Sequence, residues 1–155
     1  MEILIPTILT IITAATPLLY AALGELITEK SGVLNLGVEG MMLVGAVCGF
    51  AAVHYSGSAS IGILGGATAG ALLSLMFAAL VLGFQASQVA TGLALTIFGV
   101  GLSAMLGQDL VGVAYDGLPK VAIPYLADLP VIGKLLFNHD ILVYGSILMV
   151  ALIWW

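Results

Sequence analysis

The sequence predicts an all-α, polytopic transmembrane bundle of about five spans, and three observations carry that reading. Of the 155 residues, 62% are hydrophobic and only 7% charged, against roughly a quarter charged in soluble domains. From Gly40 to Gln108 there is no Asp, Glu, Lys or Arg, a stretch too long and too apolar to be covered by water in a small fold. Strict alternation of apolar and polar residues over ten-residue segments is absent, which argues against a transmembrane barrel and leaves helices that satisfy their own backbone groups.

Taken in order, the first span is expected over about residues 3–23, retained rather than cleaved, because no basic region precedes it. Thr7, Thr10, Thr13 and Thr16 fall at three-residue intervals and gather hydroxyls toward one side, and Pro17 should kink the helix. A packing helix and a helix lining a solute path both fit that pattern. A polar connection over 24–32 holds Glu25, Glu29 and Lys30. The second span, 33–55, carries Gly37, Gly40, Gly45 and Gly49, more glycine than helix stability alone would select.

The third span, 61–84, places Gly62, Gly66, Gly70, Ser74 and Ala78 at four-residue steps. This is a small-residue ridge against which another helix should lie. The fourth, 89–106, repeats the device with Gly99, Ser103 and Gly107. A long polar connection over 107–140 then gathers Asp109, Asp116, Lys120, Asp128, Lys134 and Asp140 with Pro119, Pro124 and Pro130. Tyr115, Tyr125 and Phe137 within it are expected at headgroup level. The fifth span, 141–155, rises only about 22 Å, short of the roughly 30 Å hydrocarbon core. It reads either as an interrupted helix of a longer single transmembrane domain or as a short tilted helix anchored by Trp154 and Trp155.

Polar groups within these spans are the candidate site. On a second helix starting at Val33, Asn35 and Glu39 would stack one turn apart, with Ser31 a turn back. A carboxylate at that depth is expensive, so Glu39 either lines a solute path, locks its helix to a neighbour or snorkels to the interface. Gln88, Thr91 and Thr96 on the fourth helix are the other candidates, as pathway groups or as makers of caps and interhelical hydrogen bonds. Gly45, Gly49, Gly62, Gly66, Gly70, Gly99 and Ser103 are the expected packing positions.

Several classes are disfavoured. The net charge of −5 and the lack of any arginine argue against nucleic acid as a partner. Neither a phosphate-binding loop nor a zinc-binding His/Glu motif occurs, so no metal and no cofactor is expected in this chain. Cys48 stands alone and reads as a small packing residue. His54 and Ser56 at a helix end are poorly placed for a nucleophile and base, and a polar turn is the better account of that segment.

The run from Gly24 to Ala46, GELITEKSGVLNLGVEGMMLVGA, resembles the signature of bacterial ABC transporter permeases for nucleosides and simple sugars, in the superfamily that includes branched-chain amino acid and ribose permeases. The segment from Gln88 to Thr96, QVATGLALT, is similar to the same family's next block, although many relatives carry Asn where this chain has Thr96. The resemblance covers nearly the whole chain and implies the amino-terminal half of a permease in a bacterial inner membrane. It further implies a second permease subunit, cytoplasmic ATP-binding subunits that hydrolyse the ATP, and an extracytoplasmic solute-binding protein. By the same analogy the 24–32 connection faces the cytoplasm, the 107–140 connection faces outward, and the main coupling segment follows the fifth span. The rival reading is a structural or assembly protein whose glycines serve packing alone.

Overall fold

The computed structural model describes residues 4–115, 117–122 and 138–155. Four helices among them are long and apolar enough to cross a membrane. Helix α1 spans Leu4–Lys30, α2 Val38–Ser56, α3 Ala59–Ala78 with a π-helical turn over Ala79–Gly83, and α4 Gln88–Gly107 with a 3-10 turn over Gln108–Leu110. Two three-residue strands, β1 (Lys120–Ala122) and β2 (Asn138–Asp140), pair antiparallel with Lys120 opposite Asp140. A shorter apolar helix, α5 (Ile141–Trp154), follows β2. The chain is thus a polytopic helical bundle of about five helices. Tyr125 and Phe137, expected at headgroup level, lie outside the described residues, as do Asp116, Asp128 and Lys134.

Helix α1 runs seven residues past the end expected for the first span, through most of the 24–32 connection. The local chemistry explains this. The Thr28 hydroxyl lies 2.9 Å from both the carbonyl and the carboxylate of Glu25, one turn back, and Lys30 sits in the last turn, where a cation suits the helix dipole. Gly32, at φ +81°, then closes the helix: the amide of Val33 donates to the carbonyl of Thr28 at 3.0 Å and that of Gly32 to Glu29 at 2.9 Å, a Schellman termination. The hydroxyls of Thr10, Thr13 and Thr16 turn back onto the carbonyls of Pro6, Leu9 and Ile12 of their own helix.

Contacts divide the chain into two units, the first made of α1 up to Gly24 with the strands and α5, the second of residues 25–115. In the first, the hydroxyl of Tyr20 donates to the carbonyl of Leu142 at 2.9 Å. Asp140 caps α5, one carboxylate oxygen accepting from the amides of Leu142 and Val143 at 3.0 Å each. Tyr144 ties this cap to the strands, accepting from the His139 amide and donating to the Val121 carbonyl, both at 3.2 Å.

In the second unit α2 is central, packing on both α3 and α4, which touch each other little. Met41 and Val44 of α2, Leu73 and Phe77 of α3, Val81 of the π-helical turn and Leu95 of α4 form the buried cluster. Beside this cluster, α2 and α3 approach backbone to backbone at Gly45 and Gly49. A Cβ added at Gly45 would meet the carbonyl oxygen of Gly66 at 3.2 Å, and one at Gly49 that of Gly62 at 3.1 Å. Alanine at either position would press α2 and α3 apart. The ridge predicted along α3 ends sooner than expected, since a Cβ at Gly70 would meet nothing within 4 Å.

Candidate functional site

Two of the polar candidates, Gln88 and Thr96, lie along one side of α4 against a non-helical segment spanning Gly32–Gly37, which holds a third, Asn35. Here the expected Asn35–Glu39 stripe is corrected: α2 begins at Val38, so Asn35 precedes the helix and shares no helical face with Glu39. Three side chains make the break. The Asn35 carbonyl oxygen accepts from the amide of Gly37 at 3.0 Å, a turn the side chain forms with its own backbone two residues on. Its amide nitrogen reaches the sulfur of Met41 at 3.5 Å, and Asn35 is buried.

Gln88 and Thr96 then take main-chain groups that a helix would have used. Gln88 Oε1 accepts from the amide of Leu34 at 2.7 Å, and its Nε2 stands 3.5 Å from the carbonyl of Gly32. The Thr96 hydroxyl donates to the carbonyl of Leu36 at 2.8 Å. In lipid a backbone group without a partner is costly even on the surface of the bundle, so an offered side chain competes directly with helix formation. The spacing of residues 31–39 hides this competition, because both partners lie more than fifty residues downstream.

Glycines let the main chains come this close. A Cβ at Gly92 would stand 2.8 Å from the nitrogen of Leu36, and one at Gly99 would stand 2.5 Å from Cα and 2.6 Å from the oxygen of Gly40. A Cβ at Gly40 in turn would meet the carbonyl oxygen of Leu95 at 2.6 Å. Gln88, Gly92, Thr96 and Gly99 fall within about 80° on one face of α4 at 100° per residue, and that face reads the main chain of residues 32–40. Gly40 belongs to the glycine set noted on the second span, whereas Gly92 is not among the expected packing positions. The signal for Gly92 is the cost of about 1 kcal/mol for glycine inside a helix, paired with the seven-residue interval to Gly99.

The remaining candidates lie elsewhere. Glu39 is exposed in the first turn of α2, and its carboxylate has no partner among the described residues. Thr91 is half-buried and lines a cleft of about 380 Å³ between the end of α3 and α4, together with Met76, Leu80, Ala94 and Phe98; it is the one polar residue in that lining. Ser103 bonds back to the carbonyl of Val100 in its own helix at 3.0 Å and borders a shallower hollow of about 690 Å³ between α2 and α4. The described residues hold no cluster of three His, Cys, Asp or Glu side chains suited to a metal ion.

Long apolar helices joined through glycine contacts, with polar side chains spent on neighbouring main chain, define a multi-pass helical membrane protein. Within that class, the chain belongs to the family described as the permease component of the branched-chain amino acid transport system, whose model matches residues 7–155. It is 40% identical over 147 residues to TsgC13 of Haloferax volcanii, named as a glucose ABC transporter permease protein, covering 92% of this chain and 45% of that one. To the guanosine ABC transporter permease protein NupQ of Bacillus subtilis it is 37% identical over 164 residues, covering 94% and 50%. To the nucleoside ABC transporter permease protein NupC of Lactococcus lactis subsp. cremoris it is 29% identical over 154 residues, covering 91% and 48%. The chain spans about half the length of these relatives. No solved structure matches it.

Proposed function

We propose that this chain forms part of the permease subunit of an ATP-driven ABC importer for nucleosides or simple sugars, moving solute by alternating access across a bacterial inner membrane. The observation that carries the reading is the family match over residues 7–155 together with relatives named as ABC transporter permeases for glucose, guanosine and nucleosides. On this reading the chain itself holds no cofactor. Cytoplasmic ATP-binding subunits hydrolyse the ATP, a second permease subunit completes the pathway, and an extracytoplasmic solute-binding protein delivers the solute. The 24–32 segment faces the cytoplasm and the 107–140 connection faces outward.

Two of the polar candidates suit a solute path better than the others, because their side chains are not spent on main chain. The exposed Glu39 and the cleft residue Thr91 would offer hydrogen bonds to a neutral, hydroxylated solute in a mostly apolar lining, the usual composition of a small-molecule site. The rival reading, a purely structural membrane protein, accounts for the exposed Glu39 in the first turn of α2 as a charge suited to the helix N-terminus, and the uptake of its variants separates the two.

The test is uptake of labelled guanosine and glucose by cells lacking their own uptake systems and expressing the full-length protein with its ATP-binding subunits and binding protein. Uptake should require the ATP-binding subunits. Glu39→Gln and Thr91→Val should lower it at equal membrane abundance. Uptake that persists without those subunits would overturn the importer reading, and unchanged uptake in both variants would remove Glu39 and Thr91 from the path.

A further inference from the structure

The segment Gly32–Gly37 joins two membrane-spanning helices without being helical, and it keeps its place through another helix. Its break leaves the Leu34 amide and the carbonyls of Gly32 and Leu36 without helical partners, and side chains of α4 supply hydrogen bonds to all three. Both ends of the Gln88 amide are used at once, and the one hydroxyl proton of Thr96 is committed to Leu36. Between them, Gly92 brings the main chain of Leu36 and Gly37 to within van der Waals distance of the helix, and beyond them Gly99 does the same for Gly40 in the first turn of α2. The α2–α3 contact, by contrast, carries no side-chain hydrogen bond among the described residues.

We propose that Gln88 and Thr96 are positioning residues: they clamp the main chain of Gly32–Gly37 to α4, so that this segment, the start of α2 and α4 move as one rigid body during transport. The inference rests on the permease reading above. It separates Gln88 and Thr96 from the solute-contacting residues, because the Thr96 proton and one donor and one acceptor of Gln88 are directed at main chain.

The test compares Thr96→Val, which keeps the shape and removes the hydroxyl, with Thr96→Ser, which keeps the hydroxyl, in the full-length protein assembled with its partners. Thr96→Val should lower the maximal uptake rate about fivefold, the scale of one lost hydrogen bond, and leave the half-saturating solute concentration unchanged. Thr96→Ser should stay near the parent rate. A tether should then rescue the valine variant. A Cβ built at Gly37 lies 3.2 Å from Cβ of Leu95, so a parting of a few tenths of an ångström reaches the roughly 3.5–4.5 Å of a disulfide, and Gly37→Cys with Leu95→Cys in a Cys48→Ala background should restore the rate on oxidation.

A raised half-saturating concentration at constant maximal rate would make Thr96 a solute contact and overturn the proposal. So would equal rates for the valine and serine variants, or a disulfide that blocks transport until it is reduced. Hydrogen exchange supplies a readout independent of transport: Gln88→Leu should speed exchange of the Leu34 amide, and unchanged exchange would refute the clamp even if the cysteine pair fails to fold. If the unmutated protein imports no nucleoside and no simple sugar, the functional reading fails, while the exchange measurement still decides whether Gln88 holds the segment.

Discussion

Replacing Gly99 by alanine isolates the closest contact between α2 and α4. The new methyl carbon would stand 2.5 Å from Cα, 2.7 Å from the carbonyl carbon and 2.6 Å from the oxygen of Gly40. All three are backbone atoms, so no side chain can rotate out of the way. Ordinary contact begins near 3.4 Å, so the helices must part locally by ~0.8 Å, and a gap of that size forfeits a quarter to a half of the dispersion energy of the atoms around it. Overpacking of this kind costs about 1–3 kcal/mol, offset by the ~1 kcal/mol that alanine gains over glycine within a helix. The separation also strains the short bonds from Thr96 to Leu36 and from Gln88 to Leu34.

The control is Gly70→Ala, where the added methyl meets nothing within 4 Å and only the helix-propensity gain applies. Thermal unfolding of the purified full-length protein in detergent should show Gly99→Ala less stable than the parent by up to about 2 kcal/mol, and Gly70→Ala equal or slightly more stable. Equal stability of the two variants, or a larger loss at Gly70, would refute the assignment of Gly99 to a main-chain contact.

Further outcomes follow from single features elsewhere. Asp140→Ala removes the acceptor for two amides of the first turn of α5 and should cost about 1 kcal/mol in the same unfolding assay, with Asp140→Asn recovering most of it. Gln85 sits at φ +54° after the π-helical turn, a conformation that disfavours residues with a Cβ, so Gln85→Gly should be neutral or stabilising by up to about 1 kcal/mol. Tyr20→Phe deletes the hydroxyl that donates to Leu142 and should cost about 1 kcal/mol, whereas Tyr20→Leu, which also removes ring packing, should cost more.

Much of this protein was legible in its residues because the membrane imposes a composition. The uncharged run from Gly40 to Gln108 and the glycine-rich helices announce helical spans in apolar surroundings, and the motifs around Gly24–Ala46 and Gln88–Thr96 resemble the permease family to which the chain belongs. Turns that depend on local chemistry were also readable: the polar break around Gly57 closes α2 at φ +67°.

What the tertiary structure decided is where the polar side chains are spent. From spacing alone, Asn35 and Glu39 belong to one helical stripe, and Gln88, Thr91 and Thr96 are equivalent polar positions. Folding separates them: Gln88 and Thr96 bond the main chain of Gly32–Gly37 from more than fifty residues away, and α2 begins only at Val38. Likewise nothing within α3 distinguishes Gly66 from Gly70; only the line of α2 across α3 puts a carbonyl oxygen near one and open space beside the other. Composition and local pattern determine that these segments are membrane helices, since burial in lipid acts on each residue alone. The partner of each polar group depends on which main chain is brought within 3 Å of it, and that is a property of the packed structure.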